Sequence, residues 1–145
     1  LRVVLSKNLR LKPSSEIFKN CRKFPTIVFT AKTKKEKTVN FLKKKVTIIK
    51  LDEKNFNLKN ILKELSNLGV QNLIVEGGSK IFTSFLKANL IDEIIIFRSN
   101  FLIGSQGLDI FKNENRNYKN LFLFKSSTNV KNNNLEILVK NTKNL

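Results

Sequence analysis

Apolar positions recur along this chain with two periods, and the switch between them marks out its elements. Compact runs of β-branched and aliphatic residues read as strands at 1–5, 26–30, 46–51, 72–76 and 92–98. The last of these, around Ile94-Ile95-Ile96-Phe97, has a continuous apolar centre and is expected to be buried on both faces. Helical spacing is clear twice. Leu58, Ile61, Leu62, Leu65 and Leu68 share one stripe, capped by Asn57 and ended by Gly69. Ile81, Phe82, Phe85 and Leu86 share another, from Ser79 to Ala88 or Asn89. A weaker helical pattern covers 37–44, and Pro13-Ser14-Ser15-Glu16 makes a helix or turn start before Ile17 and Phe18. Two final strands, 121–126 and 135–139, have no helix between them and flank a polar turn at 129–134, which predicts an antiparallel hairpin.

Early alternation of strand and helix predicts right-handed parallel crossovers with helices on both faces, and the closing hairpin makes the sheet mixed. No internal repeat or linker composition marks a second domain, so 1–145 reads as one domain. A core strand that begins at Leu1 carries the expectation of further chain upstream.

The stretch around which the rest is organised is Leu73-Ile74-Val75-Glu76-Gly77-Gly78-Ser79-Lys80. An apolar strand runs into a carboxylate and two glycines, and a helix starts at once. Glycines there tolerate positive φ and admit close approach to the backbone. The new helix points unpaired N–H groups and its positive dipole end beyond the strand, which suits a phosphate or pyrophosphate. The same Gly-Gly serves equally as a structural joint, and it lacks the spacing of a P-loop or a GxGxxG fingerprint. Glu76 favours the ligand reading, because the carboxyl ends of strands are where open α/β sheets bind ligands.

Composition narrows the chemistry. With no histidine, Ser-His and Cys-His nucleophile systems and histidine metal sites are excluded, leaving carboxylates, hydroxyls, lysines, backbone amides or a borrowed cofactor. One cysteine, Cys21, can form no internal disulfide and suits a reducing cytoplasm. No apolar run approaches the ~20 residues of a membrane span, so no membrane partner is expected. The net charge of +17 raises a nucleic-acid reading. However, the lysines are spread along the whole chain, and the phenylalanines fall at core spacing rather than as a stacking platform. A basic nucleic-acid-binding domain is therefore the alternative and not the first reading. The run Lys32, Lys34 and Lys35 after the second strand is either a solvated loop or a cradle for a phosphate.

With that order in hand, the chain resembles the reductase domain of the bacterial riboflavin-biosynthesis deaminase/reductase, which has a dihydrofolate-reductase-like fold. The resemblance rests on Arg2-Val3-Val4-Leu5 with Leu9-Arg10-Leu11, and on Leu73 to Gly78 with Phe85-Leu86 and Leu90-Ile91-Asp92-Glu93. It extends to Phe101-Leu102-Ile103-Gly104 and Ile110-Phe111. It implies a three-layer α/β/α domain with a mixed, mostly parallel sheet and a C-terminal antiparallel hairpin. It also implies that NADPH gives hydride to the ribose of 5-amino-6-(5-phosphoribosylamino)uracil, opening it to a ribityl chain. Glu76 matches the family's substrate-binding glutamate. Gly78, Ser79, Lys80, Ile81, Phe82, Thr83 and Ser84 match the segment that wraps the NADPH phosphates, and Gly77 is placed with them. A homodimer is implied, and one or more of Lys32, Lys34 and Lys35 would select NADPH over NADH. No metal site is expected. Where the family has Asp-Ser or Asp-Thr after its strand, this chain has Ser6-Lys7; the K-x-A-x-S-x-D-G strand and the H-x-E and P-C-x-x-C motifs do not occur. A non-catalytic dimerisation fragment of the reductase is the second alternative.

Overall fold

The structure, a computed structural model, describes residues 1–32, 40, 45–111 and 121–142, which fall into two compact units, Leu1–Leu73 and Ile74–Leu145. The weak helix expected at 37–44 lies outside the described residues except for Asn40.

The first unit is built on a parallel three-stranded sheet in the order β1 (Arg2–Leu5), β2 (Thr26–Thr30), β3 (Thr47–Lys50). Val4 pairs with Val28, and Val28 with Ile48. β2 is central and all five of its residues are buried, which explains why its sequence carries no polar alternation. Its two faces feed separate cores. Val28 packs with Leu9, Phe18 and Val46 on one side. Ile27 and Phe29 pack with Ile61 and Leu65 of helix α1 (Leu58–Asn67) on the other. That helix begins as the pattern requires: the Asn57 side chain accepts from the Asn60 amide at 3.0 Å. It ends on Gly69 at φ +82, where a left-handed residue is needed. Pro13 to Glu16 leads only into a single 3-10 turn, Glu16–Phe18, which delivers Phe18 to the core.

The second unit contains helix α2 (Ser79–Lys87) and an antiparallel sheet ordered β4 (Glu93–Arg98), β6 (Asn133–Lys140), β5 (Phe122–Val130). α2 ends in a left-handed Asn89 at φ 55, and the Leu90 amide reaches back to the Phe85 carbonyl at 3.0 Å. Among the described residues, parallel pairing is thus confined to β1–β3 and antiparallel pairing to β4–β6.

Three expectations change. Residues 72–76 form no ladder strand among the described residues, and Ile74 is 84% exposed. Apolar β-branched residues favour extension, but a strand exists only where a neighbour supplies backbone partners. β4 is not buried on both faces: Ile95 and Phe97 are 52% and 71% exposed while Ile94 and Ile96 are half-buried. The hairpin turn is Lys131-Asn132 alone, with Lys131 at φ 56. Asn129 pairs with Asn134 and Val130 with Asn133 inside the ladder. Ladder hydrogen bonds use only backbone groups, so an asparagine-rich stretch is drawn into pairing once its partner is in register.

Candidate cofactor site at the start of α2

Gly78 caps α2 in an extended conformation, φ −95 and ψ 176, with no side chain to satisfy the first-turn amides. Its carbonyl accepts from Ile81 N at 3.0 Å and Phe82 N at 3.3 Å. The amides of Ser79 and Lys80 find no acceptor among the described residues. Two orphan donors thus share the positive end of a nine-residue helix. The exposed Lys80 ammonium has no ion-pair partner among the described residues and adds a full charge.

The two glycines differ in what they are for, and neither has positive φ, contrary to one reason for expecting glycine here. A Cβ on Gly77 would lie 2.5 Å from Ile81 Cγ2, so Gly77 is required by the packing of the Ile81 side chain of α2 back over the segment before the cap. A Cβ on Gly78 would meet nothing within 4 Å. A phosphate oxygen fits this end: two free amides, the positive end of the helix dipole and open space beside Gly78 coincide, and Lys80 adds a cation to the first turn.

The other expected cofactor residues take different places. Ile81 covers Gly77, and Phe82 is half-buried. Thr83 is buried and gives its hydroxyl to the Ser79 carbonyl at 2.6 Å; Ser84 does the same to Lys80 at 2.8 Å. Among the described residues of this segment, Ser79 and Lys80 present the free donors at the helix start, and Gly78 leaves the space beside them open. Glu76 lies two residues before the cap, exposed and without an ion pair or side-chain hydrogen bond among the described residues. It is available as an acceptor.

In the first unit, the carboxyl ends of the parallel strands carry a second polar group. The Lys7 carbonyl accepts from Ala31 N at 2.9 Å, Lys32 N at 3.0 Å and the Thr30 hydroxyl at 3.2 Å, stitching the β1 turn to the end of β2. Ser6 spends its hydroxyl oxygen on the Arg10 amide at 3.1 Å, a local turn role. The Lys32 ammonium is paired with the Glu53 carboxylate, just past β3. Lys34 and Lys35 lie outside the described residues. Glu53 was missed in the sequence; the available signal was an acid pair, Asp52-Glu53, at the end of a strand beside one ending in lysines.

Residues 1–135 match the model of the RibD C-terminal domain. The chain belongs to that family. The Aquifex aeolicus "Riboflavin biosynthesis protein RibD" is 40% identical over 110 residues, 76% of this chain and 30% of that protein. An Archaeoglobus fulgidus "2,5-diamino-6-ribosylamino-4(3H)-pyrimidinone 5′-phosphate reductase" is 30% identical over 106 residues, 73% of this chain and 48% of that protein. The RibD-family chain spans about a third to a half of the length of these curated relatives. Among solved structures, Acinetobacter baumannii RibD superposes with a TM-score of 0.78 at 20% identity, over 97% of this chain and 37% of that one. The Thermotoga maritima deaminase/reductase does so at 0.74 and 23% identity, also over 97% and 37%. The fold is therefore that of the RibD reductase, dihydrofolate-reductase-like α/β, as the sequence resemblance implied. Among the described residues no helix is long and apolar enough to cross a membrane.

Proposed function

We propose that this chain is the reductase part of a riboflavin-biosynthesis enzyme, using NADPH to reduce the ribose of a phosphoribosylamino-pyrimidine to its ribityl form. The observation that carries this reading is the family match over residues 1–135. The free amides and open space at the start of α2 support it. The reduced nicotinamide, when bound, supplies the hydride. The protein's part is to hold and orient. Ser79 N and Lys80 N donate to a cofactor phosphate, Lys80 Nζ offsets its charge, and Gly78 leaves the approach clear. Gly77 and Ile81 fix the helix start, with Phe82, Thr83 and Ser84 supporting its first turns. Glu76, an acceptor-only carboxylate, takes N–H or O–H groups of the substrate. No histidine is required.

In this reading residues 1–145 form one reductase domain of a longer cytoplasmic protein. The chain pairs as a homodimer, a reading supported by the apolar exposure of Ile95 and Phe97. The test is to offer 5-amino-6-(5-phosphoribosylamino)uracil and 2,5-diamino-6-ribosylamino-4(3H)-pyrimidinone 5′-phosphate with NADPH and to follow loss of reduced nicotinamide and appearance of ribityl product. Turnover of the first is expected; no turnover and no NADPH binding by the folded protein refutes the reading.

A further inference from the structure

We propose that Thr83 is a positioning residue for the cofactor phosphate, acting through the peptide that joins Ser79 to Lys80. The inference rests on the proposed binding of NADPH at the start of α2 and deepens it by naming what aims one of its donors. Thr83 is buried, at 6% exposure, in the same helix as the free amides. Its hydroxyl donates to the Ser79 carbonyl at 2.6 Å, at the short end of the range for two oxygens. A buried hydroxyl keeps its partner, because no water competes for it and leaving it unpaired is costly. The Ser79 carbonyl and the Lys80 N–H belong to one planar peptide unit and point to opposite sides of it. Whatever fixes the oxygen therefore fixes the direction of the N–H. A hydroxyl on that oxygen also polarises the unit, which strengthens the N–H as a donor by about 10–30%.

The neighbouring peptides show why this task falls to one side chain. The Ser79 N–H, the other free donor, shares its peptide with the Gly78 carbonyl, which is already held by Ile81 N at 3.0 Å and Phe82 N at 3.3 Å. The Lys80 carbonyl accepts the Ser84 hydroxyl at 2.8 Å, but the N–H of that peptide is Ile81 N, already spent on Gly78. Ser84 is also exposed, so water competes for its bond. Hydroxyls that bond back to the carbonyl four residues earlier slightly destabilise a helix, so stability gives no reason for the Thr83 bond. Of the two, Thr83 stands behind a peptide whose N–H finds no acceptor among the described residues.

The test is calorimetric titration of NADPH, with thermal melting alongside, on wild type, Thr83→Val, Thr83→Ser and Ser84→Ala. Valine keeps the branched shape, has a helix propensity close to that of threonine and removes the back-bonding hydroxyl, so Tm should stay level or rise. NADPH Kd should nonetheless rise by about 2–5-fold, the loss expected when a charge-assisted hydrogen bond gives up its cooperative part. Thr83→Ser keeps the hydroxyl but removes a buried methyl, so Tm should fall while Kd returns toward wild type. Ser84→Ala should weaken NADPH less than Thr83→Val does. Wild-type affinity in Thr83→Val, equal weakening by Ser84→Ala, or affinity that follows Tm across the series overturns the role of Thr83 and leaves the reductase reading standing. Absence of NADPH binding by folded wild type overturns both.

Discussion

The two glycines before α2 make opposite forecasts for the addition of a side chain, which allows packing and ligand binding to be separated. Valine at Gly78 places its Cβ where nothing lies within 4 Å, and the backbone there, φ −95 and ψ 176, is ordinary extended geometry for a β-branched residue. Folding loses only the better N-cap residue, about 0.5–1 kcal/mol, so Tm should fall by roughly 2–5 °C. The same side chain fills the open space beside Gly78 through which a phosphate would approach the Ser79 and Lys80 amides. Losing two charge-assisted hydrogen bonds to a phosphate is worth roughly 3 kcal/mol or more, above ~10²-fold in NADPH Kd. Alanine at Gly77 behaves in the other way. Its Cβ would be 2.5 Å from Ile81 Cγ2, against the ~3.5–4.0 Å of ordinary carbon contact. A β-branched isoleucine in a helix has little χ1 freedom with which to yield. Overpacking of this kind costs about 1–3 kcal/mol, roughly 4–12 °C in Tm, and Ile81→Ala should relieve much of it. Melting and NADPH titration on the same four proteins decide the matter. Wild-type NADPH affinity in Gly78→Val would show that α2 does not receive the cofactor; an unchanged Tm in Gly77→Ala would refute the packing argument.

Two further outcomes are expected away from that site. Asn57→Ala removes the side chain that accepts from Asn60 N at 3.0 Å and should lower stability by about 1 kcal/mol in chemical denaturation; an unchanged midpoint would show that packing of Ile61 and Leu65 alone holds the start of α1. Glu136 accepts from Arg98 through Nε at 2.8 Å and Nη2 at 3.0 Å, and this hydrogen bonding holds its carboxyl below the ordinary 4.5. A lowered folded value means that the pair stabilises β4–β6 above that pH and ceases to do so as pH falls through the folded value. Acid melts of wild type and Glu136→Gln should therefore differ near neutrality and converge at acid pH, and a constant gap across the range would contradict the assignment.

How much of this was legible in advance depended on how far apart the deciding residues lie. Helix α1 was readable end to end, because its cap, stripe and glycine stop interact within one to four residues of each other. The start of α2 was readable for the same reason, as was the two-strand hairpin near the C-terminus. The reason for Gly77 was not: a glycine four residues before an isoleucine signals nothing until the helix fixes where Cγ2 falls. Residues 72–76, with their strand-like Leu73-Ile74-Val75, pair with no ladder partner among those described, since composition states a preference and a neighbour makes the strand. The same limit applies to Ile95 and Phe97, whose apolar run fits a doubly buried strand or one face of an antiparallel sheet equally well. Sequence fixes which residues are apolar, while the pleat and the neighbouring strands decide which of them meet solvent. Lys32 and Glu53 lie 21 positions apart, and only the parallel register of β2 and β3 brings the ends of those strands, and so the two charges, together.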